Sequence, residues 1–202
     1  MTATALHIPK RIDSERHSAV DGGRPVELTV AFTDLEGFTA YTQTKGDNAA
    51  SRLLTMHQNE SATIVRNRGG CVLKRLGDGL MLIFSEPAAA VLACLEIGDN
   101  SALPLRAGVH CGKALVTDDD VVGAVVNLAA RVTASAEAGA PMITHRVRTA
   151  IGDLQGVAFD GPYPRNFKGI ADPVSVYYAS RCHHRFTAGT PTGRVSLEKG
   201  ST

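Results

Sequence analysis

The feature that most narrows the fold is a pair of strand-like runs, Cys71–Leu76 and Leu80–Phe84, separated only by Gly77-Asp78-Gly79. Glycine accepts positive φ and Asp tolerates a turn, so the segment predicts a β-hairpin with a carboxylate at its tip. Just before it, Gly69-Gly70 halts a helix whose apolar positions Leu53, Met56, Ile64 and Val65 recur near helical spacing and which Asp47 can cap. Further upstream, Val26–Thr33 (VELTVAFT) reads as a buried strand that stops at Asp34 and empties into a loop containing Gly37. Downstream, Pro87–Ile97 suits a helix with Pro in its first turn, Leu105–Cys111 a strand, and Asn127–Glu137 a helix closed by Gly139. Shorter strands fit Pro141–Thr144 and Val174–Tyr178. The order predicts an α+β fold, a ferredoxin-like β-α-β-β-α-β sheet layered with helices.

Composition bounds what such a fold can serve. The chain has 202 residues, is 44% hydrophobic and carries a formal net charge of +1, which suits one domain with a core of its own. That near-neutral balance gives no field to attract a polyanion, and no nucleic-acid partner is expected. No apolar run approaches the ~20 residues of a membrane span, so no membrane association is expected either. Residues 1–25 lack apolar periodicity and any signal-peptide pattern, and they read as a flexible leader; residues 181–202 read as a flexible tail, Cys182-His183-His184 included. The domain is expected at 26–180 and its address in the cytoplasm. Cys71, Cys94, Cys111 and Cys182 form no C-x-x-C and read as reduced, mostly buried thiols.

Asp34 and Asp78 each follow a strand, and each is flanked by a glycine that lets a large anion approach the backbone. If the first strand lies beside the hairpin, both carboxylates reach one sheet edge, where hard divalent cations could bridge them to substrate phosphates. Taken singly, each also has an ordinary explanation as a turn residue.

The surrounding residues carry a resemblance. Ala31-Phe32-Thr33-Asp34-Leu35-Glu36-Gly37-Phe38-Thr39 resembles the F-x-D-[IL]-x-G-F-T segment of class III nucleotidyl cyclases, and Lys74-Arg75-Leu76-Gly77-Asp78 is similar to that family's K-x-x-G-D hairpin. Leu105-Arg106-Ala107-Gly108-Val109-His110 resembles its R-x-G-[IV]-H strand, and the segment from Asp120 through Asn127 to Arg131 its D-x-x-G-x-x-V-N-x-A-x-R pattern. Phe167-Lys168-Gly169 followed by Pro173-Val174-Ser175-Val176-Tyr177 is a further match. The matches fall in the family's order across nearly the whole expected domain, a specificity no single motif has. The likeness is strongest to catalytic domains of mycobacterial adenylate cyclases.

The resemblance implies that Asp34, Asp78 and the Leu35 carbonyl hold two divalent cations, Mg²⁺ or Mn²⁺, and that the Gly37-Phe38-Thr39 turn, Arg106 and Lys168 bind phosphates. It gives Asn127 the task of orienting the ribose and Arg131 that of donating to the pentavalent α-phosphate. Spacing agrees, since residues four apart in a helix share a face. Lys74 and Asp120 occupy the family's base-specifying positions, and Lys with Asp is the adenine pair, so ATP is the expected substrate and 3′,5′-cyclic AMP with pyrophosphate the products. Asp118 and Asp119 precede Asp120, and the spacing to Gly123 and Asn127 selects Asp120.

The resemblance further implies a homodimer with shared sites. One chain would supply Asp34, Asp78 and Arg106, and the other Lys74, Asp120, Asn127, Arg131 and Lys168. The stretch between Gly112 and Asp120 is short, so the projecting arm that supports dimer contacts is expected to be reduced. His110 and Cys111 read as structural. Guanylate cyclase and a catalytically silent nucleotide-binding module are the alternatives. An RNA-reading sheet would need exposed aromatics in a chain that is 5% aromatic, and a diguanylate cyclase would need G-G-[DE]-E-F at the hairpin.

Overall fold

Alternation along β1 (Val26–Leu35) divides the molecule into layers. In the computed structural model, which describes residues 25–117 and 120–182, Ala31 and Leu35 turn to one face of the sheet and Leu28 and Val30 to the other. The first face is covered by α2 (Asp47–Asn67), through Ile64 and Val65, and by α3 (Pro87–Asn100), through Val91, Cys94 and Ile97. The second is covered by α4 (Ala124–Ser135), through Val125 and Ala129. This helix lies directly on the strands because Gly108 has no side chain: a Cβ there would collide with the Thr133 backbone.

The hairpin is as expected, β2 (Cys71–Leu76) and β3 (Gly79–Phe84), followed after α3 by β4 (Leu105–Val116). Together these strands stand in the order β2-β3-β1-β4, all antiparallel, which is the ferredoxin-like arrangement. Beyond β4 the sheet continues through β6 (Met142–Thr144), β8 (Val174–Arg181) and β7 (Val157–Arg165), and β5 (Val121–Val122) pairs with the end of β4. Two further helices, α1 (Phe38–Lys45) and α5 (His145–Ile151), complete the domain.

Several local expectations are corrected. β1 does not stop before Asp34; it runs to Leu35, so Asp34 is a strand residue opposite Arg106. Asp47 is the first residue of α2 behind Gly46 and makes no side-chain cap. Met56 is 61% exposed rather than turned to the core with Ile64 and Val65. α3 runs on to Asn100. α4 begins at Ala124, so Asn127 stands at the end of its first turn. β4 reaches Val116 and folds back through β5 as a short arm. Among the described residues no helix is long and apolar enough to cross a membrane. The expected leader up to Arg24, the tail from His183, and Asp118 and Asp119 lie outside the described residues.

Candidate active site

Asp34 projects from the α4 face of β1, and Arg106 projects beside it from β4 at the paired register position. Arg106 Nη1 donates to Asp34 Oδ2 at 3.3 Å, and Nη2 donates to Glu36 Oε1 at 3.1 Å. Asp78 sits at the tip of the β2–β3 hairpin, and pairing of Thr33 with Leu80 brings that tip to the Asp34 end of β1. The two carboxylates are close enough to interact. Burial lifts the Asp34 carboxyl above its usual range, the Asp78 charge lifts it further, and Arg106 opposes both. From the helix above, Gln58 Nε2 donates to the Gly77 carbonyl at 3.3 Å and steadies the tip.

These donors fit hard cations. Carboxylate oxygens are their preferred ligands, and mutual repulsion between two such groups is what a bound cation relieves. The Leu35 side chain is buried in the core, which leaves only its backbone for a ligand. No group of three or more His, Cys, Asp or Glu side chains poised for a metal occurs among the described residues, so this pair would need oxygens from a substrate to complete the shell.

Gly37, at φ 78, turns the chain into α1 with no side chain capping the helix. The N–H groups of Phe38 and Thr39 are therefore available at a helix N-terminus, a suitable seat for a phosphate.

A second cluster lies along β2 and the β4–β5 arm. Lys74 Nζ donates to Asp120 Oδ2 at 2.6 Å, and the Val121 N–H donates to Oδ1 at 2.7 Å. Those bonds, the Lys74 one foremost, hold the Asp120 carboxyl below its usual range. Thr117 sets the turn: its N–H donates to the Asp120 carbonyl at 2.8 Å, and its Oγ1 accepts the Asp120 N–H at 3.1 Å.

A third group gathers on the outer side of α4. Asn127 is exposed and Arg131 half-buried. The Gly169 backbone passes beside Arg131 Nη2, because Phe167 is buried against Val132, Met142 and Val176 and pins the loop to the helix. Lys168, between Phe167 and Gly169 on that loop, is exposed. No ion pair or side-chain hydrogen bond among the described residues joins the Lys74–Asp120 pair, Asn127, Arg131 or Lys168 to Asp34 or Asp78.

The remaining sequence candidates resolve simply. His110 Nδ1 bonds Thr144 Oγ1 at 2.8 Å, and burial with the nearby Arg146 charge pushes its pKa down to about 4. The four cysteines are free; Cys94 and Cys111 are buried, Cys71 is half-buried and Cys182 exposed. Glu36, Gln58 and Thr117 were not foreseen. For Glu36 there was a signal, since it stands two residues after Asp34 and alternation places both on one strand face.

Comparison with known proteins places this geometry. No family model matches the sequence. The chain is 33% identical over 183 residues to a pH-sensitive adenylate cyclase of Mycobacterium tuberculosis, covering 83% of this chain and 45% of that protein. An adenylate cyclase of Streptomyces coelicolor is 33% identical over 121 residues, covering 57% of this chain and 32% of the relative. Among solved structures, the adenylyl cyclase CyaB from P. aeruginosa superposes with a TM-score of 0.74 at 25% identity, covering 80% of this chain and 97% of that one. The guanylyl cyclase Cya2 shares the fold at a TM-score of 0.70 and 23% identity, covering 82% and 98%. The described residues form a nucleotidyl cyclase catalytic domain. The chain belongs to the class III adenylyl/guanylyl cyclase family. It spans about half the length of the first curated relatives it matches, 45% and 47% of theirs.

Proposed function

We propose that this chain is an adenylate cyclase that converts ATP to 3′,5′-cyclic AMP and pyrophosphate in a homodimer with shared sites. The observation that carries the reading is the Lys74–Asp120 pair at 2.6 Å. An ammonium donor beside a carboxylate acceptor complements the N1 acceptor and N6 amino group of adenine. Guanine, with O6 as acceptor and N1 and N2 as donors, would leave polar groups unpaired in such a pocket, and unpaired buried groups are how hydrogen-bonding sites discriminate.

Asp34 and Asp78, with the Leu35 carbonyl, would hold two divalent cations, Mg²⁺ or Mn²⁺, which when bound favour ionisation of the ribose 3′-hydroxyl and neutralise charge on the triphosphate. The N–H groups that follow Gly37 seat phosphate oxygens at the start of α1. Arg106, already aimed along the edge that carries Asp34, turns its guanidinium to the phosphates. Asn127 orients the ribose. Arg131 donates to the α-phosphate as negative charge builds there, where a fixed donor is most effective. Lys168, on the loop pinned by Phe167, adds positive charge on the same side.

Dimerisation reconciles the separation of the clusters. Within one chain the carboxylate edge and the Lys74–Asp120 and Arg131 groups are not joined, and a two-fold partner would bring one set to the other. Leu76, Leu115 and Val122, which are 50%, 39% and 44% exposed, supply apolar surface on the hairpin and the arm for such an interface. The free thiols suit a cytoplasmic reaction.

The test is direct. The purified chain is incubated with ATP or GTP, each with Mg²⁺ or Mn²⁺, and the products are identified. Cyclic AMP is expected. A strong preference for GTP overturns the base assignment, and linear products alone overturn cyclisation.

A further inference from the structure

Arg106 bonds two carboxylates, and only one of them has a task in the proposed reaction. Nη1 donates to Asp34 Oδ2 at 3.3 Å and Nη2 to Glu36 Oε1 at 3.1 Å. Alternation puts Asp34 and Glu36 on one strand face. The Glu36 N–H donates to the Pro104 carbonyl at 2.9 Å, which carries the β1–β4 ladder one step past Leu35. Immediately afterwards Gly37, at φ 78, turns the chain into α1. The Glu36 backbone is thus fixed between the strand that carries Arg106 and the helix start proposed to seat phosphates. Arg106 Nε is buried and has no partner among the described residues, so the two Nη bonds are the polar contacts that orient the guanidinium. The Glu36 side chain is 51% exposed. An ion pair that open to water adds little to folding stability, which leaves orientation as its effect.

We propose that Glu36 is a positioning residue for nucleotide binding: it holds Arg106 by Nη2 while Nη1 leaves Asp34 and turns to the triphosphate. This rests on the proposed cyclase reading, in which Asp34 belongs to the cations and Arg106 to the phosphates. The Asp34 oxygen that accepts from Arg106 cannot serve a cation fully at the same time. Glu36 is no ligand in that reading, and its bond to Arg106 survives the exchange. A guanidinium carries five N–H donors in a fixed fork, so one retained bond still leaves donors for a phosphate. Without the Glu36 carboxylate, Asp34 is the acceptor left to Arg106, which would settle on it, compete with the cations and withdraw from the phosphates. A further carboxylate beside an anion site repels the triphosphate by its own charge. Holding Arg106 in place offsets that repulsion.

The probe is inorganic tripolyphosphate with Mg²⁺, titrated into the full chain by calorimetry so that binding is read apart from turnover. Glu36→Ala should weaken its binding about five- to tenfold, and Glu36→Gln, which retains an acceptor oxygen, about two- to threefold. In an Arg106→Ala background, Glu36→Ala should cost less than about twofold further. In turnover assays Glu36→Ala should raise KM for ATP about five- to tenfold and change kcat less than about threefold. The urea midpoint should stay close to wild type. In the ligand-free protein the Arg106 Nε–H NMR signal, assigned by its loss in Arg106→Ala, should move in Glu36→Ala. Tripolyphosphate binding as tight as wild type or tighter in Glu36→Ala, an equal loss with and without Arg106, or an unmoved Nε–H signal overturns the positioning role alone. A lowered urea midpoint with unchanged KM also overturns it, as a merely structural part. Wild-type protein that neither binds tripolyphosphate nor yields a cyclic product overturns the cyclase reading and this proposal with it; cyclic product formed by Glu36→Ala at the wild-type KM overturns only the proposal.

Discussion

The two halves of the proposed nucleotide site differ in how their charge is balanced. Lys74 and Asp120 satisfy each other at 2.6 Å, and the carboxylate is held in its ionised form. Asp34 and Asp78 repel each other, and the one guanidinium at hand is shared between Asp34 and Glu36. The first arrangement, the proposed reading head, is internally neutralised; the second is short of positive charge. On the proposed reading, this under-neutralised carboxylate pair gives up stability in exchange for the capacity to bind cations.

The largest effect should come from removing that pair. Asp34→Ala or Asp78→Ala is expected to lower cyclase activity by about 10³-fold or more, because each removes a carboxylate the proposed cations need; a steady-state assay across Mn²⁺ concentrations checks it, and a variant with wild-type activity and an unchanged Mn²⁺ half-saturation would show that the residue is not a ligand. Next, Arg131→Ala should reduce kcat by roughly 10²- to 10³-fold with a smaller change in KM, the pattern of a donor used in the transition state. On the reading head, Lys74→Glu combined with Asp120→Cys should cut kcat/KM for ATP by about 10²-fold or more and raise that for GTP. The fold should hardly notice, since Lys74 and Asp120 side chains are 39% and 36% exposed and such pairs add little stability.

The smallest effect is the one that distinguishes the halves most cleanly. Because Asp34 has a carboxyl raised above its unfolded value, its contribution is favourable below that value and is lost as pH rises through the folded pKa. Asp34→Asn, neutral at every pH, should therefore raise the urea midpoint of the cation-free protein slightly at pH 7 and leave it unchanged near pH 3. Asp120, held low by Lys74, runs the other way: its contribution is present above the usual carboxylate range and fades as pH falls. Asp120→Asn should thus lower the midpoint slightly at pH 7. Equal signs for the two substitutions would erase the contrast.

Much of the fold was legible because its signals were local. The hairpin turn Gly77-Asp78-Gly79 and the Gly69-Gly70 helix stop announce themselves by backbone chemistry, and the order of elements then implies the sheet. Elements that escaped lack such signals. β7 carries Gly161, Pro162 and Pro164 and an irregular register between Asp160 and Tyr163; α5, at seven residues, is too short to show a helical period; β5 is two residues long and exists only as a partner of β4. Met56 was misjudged because helical spacing reveals a stripe but not which side of the helix finds the core. For the candidate site, the motifs pointed to Asp34, Asp78, Lys74 and Asp120, whereas Gln58 and Thr117 act through bonds to backbone groups, a role visible only once the chain is folded.

Mixing two inactive variants tests the shared site most directly. Asp34→Ala damages the half expected from one chain, and Arg131→Ala the half expected from its partner. After subunit exchange between equal amounts, random pairing makes half the dimers hybrids, each with one intact site, and about a quarter of wild-type activity should return. A mixture as silent as its components, with hybrid dimers demonstrated by native mass spectrometry, would contradict the account.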